Sequence, residues 1–156
     1  NLLALSSSAV VAGEIFSADI ARDKNISLPE AEELKKKTAD ILDPKNQTIY
    51  PSLWKSIDNL AQEGRQAITY FEKKHGQIVE TIILSGGSSL IKGLDTALIG
   101  RLDKKVTIGD PLFKIKNADK LNSVGQSILF ADVIGLALGL EGKKTAQINL
   151  LNGKKN

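Results

Sequence analysis

Apolar residues recur along this chain at two spacings, every second residue or every three to four, and the switches between them outline its elements. The opening run LLALSSSAVVAG is apolar and small around a polar centre, and predicts a strand that stops at Gly13. In EIFSADIARD, Ile15, Phe16, Ile20 and Ala21 fall at helical spacing until Asp23, Lys24 and Asn25 break it, which predicts a short helix. SLPEAEELKKKTADIL starts with a capping box, Ser27 accepting from the Glu30 amide while the Glu30 carboxylate reaches back. Pro29 lies in the first turn, where its missing donor costs little. Ala31, Leu34, Thr38 and Ile41 mark one face, and the loop DPKNQTIYP follows. From Ser52 to His75, Leu53, Ile57, Leu60, Ala61, Ala67, Ile68 and Phe71 recur every three or four residues, the pattern of a long amphipathic helix crossing a core.

Beyond that helix, IVETIILSG is a β-branched run with few polar residues, as expected of a strand covered on both faces. Leu90, Leu94, Leu98 and Leu102 predict the next helix, and KVTIGDP a short strand ended by Asp110 and Pro111. LNSVGQSILFADVIGLALGL is apolar on nearly every side after Gln126 and predicts a buried helix against a sheet. Gly125, Gly135 and Gly139 would mark close approach of neighbouring backbone there. The last segment, EGKKTAQINLLNGKKN, is a basic, glycine-flanked tail with one apolar tetrapeptide. Strands alternating with helices give an α/β layer architecture.

Composition narrows this picture in a few places. A length of 156 residues with 42% hydrophobic content suits one domain. The apolar runs fall short of a membrane span, and NLLAL lacks the basic flank of a signal peptide. Without cysteine and with His75 as the lone histidine, disulfides, thiolate metal sites and histidine clusters are excluded, which fits a cytoplasmic protein. The formal charge of +3 is modest and its lysines carry no interleaved aromatics, so nucleic acid is not an expected partner. There is no methionine, so Asn1 is not a usual translation start, and the chain is expected to be a fragment or a processed product.

Candidate chemistry gathers in ILSGGSSLIKGLD, Ile83 to Asp95. Glycines at a strand end accept positive φ and let backbone or a flat ligand come close. Ligands of open α/β sheets collect at that end of the strands, at the mouth of the following helix. Gly86, Gly87 and Ser88 are therefore a candidate ligand platform. Equally, the stretch reads as a tight turn and a helix start capped by Ser88 or Ser89. It is neither a P-loop nor a Rossmann fingerprint. Glu32 and Lys35, three apart on the capped helix, form a second constellation that could grip a ribose hydroxyl and cover a purine ring, or be a solvated ion pair.

The series AGEIFSADIARDKNISLPEAEELKKK, the long helix, IILSGGSSLIKGLDTALIGRL, VTIGDP and IGLALGL, in that order and spacing, resembles the C-terminal half of the PilM family. These are actin-like proteins of type IV pilus assembly, related to the cell-division protein FtsA. The resemblance covers Gly13 to Leu140. It implies an actin-like, ribonuclease H-like α/β half-domain, a mixed sheet flanked by helices with a small helical insertion, and ATP held between two halves. Residues 1–22 and 54–140 would form the main nucleoside-side subdomain, 23–53 the small inserted one, and 141–156 the basic tail. Gly86, Gly87 and Ser88 match the family's adenosine motif, and Glu32 and Lys35 the inserted helix that closes over the nucleoside.

The two phosphate-binding hairpins, the magnesium ligands and the water-activating residue of actin-like ATPases are outside the sequence. ATP binding with Mg2+ is thus implied for the full-length protein, and no hydrolysis for this stretch. Ile148, Asn149, Leu150 and Leu151 are similar to the INLLP start of PilN, the membrane partner whose cytoplasmic tail docks on PilM, but Asn152 replaces the proline. Docking, a fusion and a chance match stay open. The implied role is a cytoplasmic scaffold, peripheral to the inner membrane through a PilN-like peptide or other pilus platform proteins, with self-association as a further contact. The rival expectations are a cell-division or filament-forming actin-like ATPase, an adaptor that has lost nucleotide, and, more distantly, a sugar or acetate kinase.

Overall fold

A computed structural model of the chain describes residues 4–6, 8, 13–38, 40–43, 51–113, 115–118 and 127–141. Within them the order is α1 (Gly13–Lys24), α2 (Leu28–Thr38), α3 (Pro51–His75), β1 (Thr81–Leu84), α4 (Leu94–Leu102), β2 (Lys105–Ile108) and α5 (Ala131–Glu141). Single 3-10 turns at Gly87–Leu90 and Ile128–Phe130 precede α4 and α5. The architecture is mixed α/β: helices around a small parallel sheet of β1 and β2, with Thr81 opposite Lys105 and Leu84 opposite Ile108. Parallel neighbours need a crossover, and α4 supplies it.

The core forms where α1 packs on α2 and α3, α3 on α4, and α4 on β2. Leu53, Ile57 and Ala61 lie one turn apart on α3 and are fully buried against Phe16 and Ile20 of α1, Leu94 and Leu98 of α4, and Val106 of β2. That spacing puts all three on one stripe of the helix. Farther along α3, Ala67, Ile68 and Phe71 are only half-buried, so the helix outruns the core. Polar contacts hold that end instead: Glu72 accepts from the Val79 amide (3.0 Å) and from Lys104 Nζ (3.0 Å), and Arg65 Nη1 donates to the Arg101 carbonyl (2.6 Å).

Two carboxylates fix α1 against α3. Asp19, buried, accepts from Ser56 Oγ (2.5 Å) and from Arg22. Asp23 accepts from the Ser52 amide (2.9 Å) and hydroxyl (2.7 Å), setting a negative charge at the first turn of α3, where the helix dipole favours it. The capping box of α2 forms as expected, with the Ser27 amide donating to Glu30 Oε2 (2.9 Å) and the return bond from the Glu30 amide to Ser27 Oγ at a loose 3.5 Å. The Ser27 hydroxyl also donates to that carboxylate (2.7 Å), and these bonds hold the Glu30 pKa below its ordinary value.

Several expectations are corrected. Burial alternates along β1, with Ile82 and Leu84 facing the core and Ile83 67% exposed, so the strand is covered on one face by the described residues. Leu90 sits in the 3-10 turn, outside α4, and is exposed. Helix α5 is not buried: Val133, Leu136 and Leu138 are exposed, and a side chain added at Gly135 would meet open space. Its apolarity calls for a covering partner, but among the described residues none lies over that face. Most of the expected opening strand lies outside the described residues, and residues 4–6 and 8 carry no regular structure. Gly125, the Thr38 side chain and the surroundings of Gly139 are also outside them.

Burial decides the expected cost of substitution. Leu53→Ala should lower unfolding free energy by about 2–5 kcal/mol in urea denaturation, whereas Leu136→Ser should change it by less than about 0.5 kcal/mol.

Candidate functional site

The chain leaves β1 through Ser85 and enters Gly86 at φ 84° and ψ 171°, a region open essentially to glycine alone. Ser89 then folds the turn back, its amide (3.1 Å) and its hydroxyl (2.6 Å) both donating to the Gly86 carbonyl. The glycine pair therefore opens a 3-10 turn, and α4 begins only at Leu94. Neither Ser88 nor Ser89 caps a helix: the caps are Gly86 for the turn and Gly93 for α4, with no side-chain bond at either. Gly93, at φ 86°, is required for space as well, since a Cβ there would lie 2.5 Å from Leu42 Cγ.

The glycine main chain is open. A Cβ on Gly86 would meet no atom within 4 Å, and one on Gly87 would meet Leu129 Cδ2 at 3.2 Å. Across from it, the first turn of α1 comes so close that a Cβ on Gly13 would overlap the Ser88 hydroxyl. Turn, α1 and α2 thus enclose a cleft of about 860 Å³, lined by Gly13, Ser17, Glu32, Lys35, Lys36, Gly87, Ser88 and Leu129 among others.

The α1 and α2 wall of this cleft is a closed polar network. Lys35, on a side chain only 7% exposed, donates to Glu32 Oε2 (2.6 Å), Ser17 Oγ (2.8 Å) and the Gly13 carbonyl (3.2 Å). An ammonium has three donors, so all of them are occupied. Ser17 Oγ donates in turn to Glu32 Oε2. The Lys35 hydrogen bond, and after it that of Ser17, holds the Glu32 carboxyl below the usual carboxylate range. Lys36 stays 59% exposed, with its ammonium 3.8 Å from Glu32 Oε1 and 3.7 Å from Glu33 Oε1.

Four expected site residues, Glu32, Lys35, Gly87 and Ser88, therefore meet around one cleft, and Gly86 adjoins it without lining it. Glu32 and Lys35 do not form a solvated pair, and Lys35 is too deeply engaged to reach a ligand with its ammonium. Sequence reasoning missed Gly13, Ser17, Lys36 and Leu129. Lys36 could have been found from its place four residues after Glu32, and Ser17 from its position four after Gly13, beside Phe16. Leu129 had no local signal, being brought in by the tertiary fold. Ile148 to Leu151 lie outside the described residues.

The sequence model of the type IV pilus assembly protein PilM family matches residues 8–140. The chain belongs to the PilM family. A solved structure described as a PilM-PilN type IV pilus biogenesis complex is similar to this PilM-family chain with a TM-score of 0.65 and 27% identity, over 83% of this chain and 37% of the matched one. The chain thus spans well under half the length of that PilM relative. No match is found among curated protein sequences. In this PilM-family chain, no helix among the described residues is long and apolar enough to cross a membrane. No group of three or more His, Asp or Glu among them could hold a metal ion.

The Glu32 network predicts an acid dependence. A lowered folded pKa makes its contribution fully present above the ordinary value of 4.5 and lost as pH falls through the lowered value. Urea midpoints of wild type and Glu32→Gln should therefore differ at neutral pH and converge as the medium is acidified through that window.

Proposed function

We propose that this chain is the nucleoside-side part of an actin-like PilM scaffold for type IV pilus assembly, and that the cleft takes the adenosine of ATP. The reading is carried by one observation: the open main chain of Gly87 and Ser88 faces the Glu32 wall of α2 across a cleft of about 860 Å³. That space falls in the range of small-molecule sites, about 300–1,000 Å³. The α2 region, within residues 23–53, is the small inserted subdomain that covers the nucleoside.

The residues present fit the base and sugar. Gly87 offers backbone without a side chain to a flat ring, with Gly86 adjoining it, Glu32 offers an acceptor to a hydroxyl, and the exposed Lys36 stem, rather than Lys35, is placed to cover the ring. Triphosphate and Mg2+ draw on groups beyond these residues, so the chain's share of the work is to bind and orient the nucleoside. Nucleotide occupancy sets how the two halves of the actin-like fold sit, and that angle governs docking of a PilN-like cytoplasmic peptide. A scaffold held at the cytoplasmic face of the inner membrane by such partners follows.

A second reading, an assembly adaptor without nucleotide, draws on the exposed apolar side chains Leu129, Phe130, Val133 and Leu136, a patch of the kind that marks interaction sites. Titration of the full-length protein with a fluorescent ATP analogue separates the two. Wild type should bind saturably, and Gly87→Asp, which sets a charged side chain against Leu129 and the cleft, should bind at least about tenfold more weakly. Equal binding by both proteins would remove the cleft from the mechanism. Saturation transfer from adenosine that is absent in both would favour the adaptor.

A further inference from the structure

Ser17 is a buried hydroxyl, 2% exposed, on the face of α1 that otherwise carries Phe16 and Ile20. A mid-helix serine ordinarily turns its proton to the carbonyl four residues back. Here that carbonyl, Gly13, is 3.3 Å away, and the much shorter bond runs to Glu32 Oε2. The hydroxyl has one proton, so it serves the carboxylate, while its lone pair takes Lys35 Nζ at 2.8 Å. The Gly13 carbonyl is left to Lys35.

This arrangement makes the two oxygens of Glu32 unlike. Oε2 is held inside by Ser17 and Lys35. Oε1 makes no hydrogen bond among the described residues, its nearest cation being Lys36 Nζ at 3.8 Å, and the side chain is 39% exposed in the cleft wall. An ionised carboxylate oxygen only accepts, so what it recognises is a hydrogen-bond donor such as a hydroxyl, and it repels phosphate. Its direction is fixed only while Oε2 is pinned.

We infer that Ser17 is a positioning residue of the cleft: by pinning Glu32 Oε2 it aims Oε1 at the hydroxyls of the ligand's ribose, and so gives the site its preference for a cis-diol sugar. The inference rests on the nucleoside reading above and names its sugar-recognition element. Ser17 touches no ligand and acts through Glu32.

Calorimetry of the full-length protein with adenosine and with 2′,3′-dideoxyadenosine tests it, alongside an NMR titration of the Glu32 carboxyl without ligand. Wild type should prefer adenosine by about tenfold or more, the scale of one hydrogen bond to a charged group. Ser17→Ala should bring that ratio near one through weaker adenosine binding alone and raise the Glu32 titration midpoint. Ser17→Thr, which keeps the hydroxyl, should restore both. A wild-type ratio or an unmoved Glu32 midpoint in Ser17→Ala overturns the inference, as does an equal loss of both nucleosides with a fallen Tm. Binding of neither nucleoside by the wild type overturns the nucleoside reading itself, and the sugar preference with it.

Discussion

A lysine ammonium shut away from water between α1 and α2 is the constraint around which the cleft is built. A buried charge without partners costs several kcal/mol, so the chain must bring acceptors to it. Lys35 finds them in Gly13, Ser17 and Glu32, which come from two helices, and satisfying one group therefore fixes the angle between those helices. The same contacts bring the first turn of α1 against Ser88, and so fix the distance between the α2 wall and the glycine turn. Replacing Lys35 by an apolar residue would take one of the two donors from Glu32 Oε2 and leave Ser17 alone to hold it.

Helix α1 transmits this order to the rest of the molecule. Its buried face meets α2 through the Lys35 network at Ser17, and α3 through Phe16, Ile20 and the Asp19 contact to Ser56. Since α3 carries α4, and α4 carries β2 and hence β1, the turn at the end of β1 is tied to α1 by two routes. The parallel bridge between Asp40 and Lys92, closed by an ion pair at 2.6 Å, ties the end of the α2 region to the same turn. The cleft is therefore framed on the sides built by α1 and β1, and α2 is held as its further wall by Ala31 and Leu34 in the core together with the Lys35 network.

Membership of the PilM family and the apolar surface of α5 bear on assembly in the same way. Val133, Leu136 and Leu138 of α5 expose apolar side chains, Leu136 to 72%, and surface of this kind marks interaction sites. The chain spans 37% of the matched chain in the PilM-PilN structure.

Local chemistry made the helices legible in the sequence: the Ser27 and Glu30 box, the stripe of Leu53, Ile57 and Ala61, and the helical spacing around Phe16 and Ile20 are short-range patterns that the backbone obeys directly. The glycine turn and the Glu32 and Lys35 pair were legible for the same reason, because φ at Gly86 and the spacing along α2 are local properties. Burial of whole faces was not, since hydrophobicity states that a side chain prefers a partner without naming one; Ile83 and α5 are the result. The internal commitment of Lys35, the service of Ser17 to Glu32 and the arrival of Leu129 opposite Gly87 were settled only by folding. Each joins residues distant in the chain, and the energy that selects them, satisfaction of a buried charge and closure of a core, exists only once the helices have met.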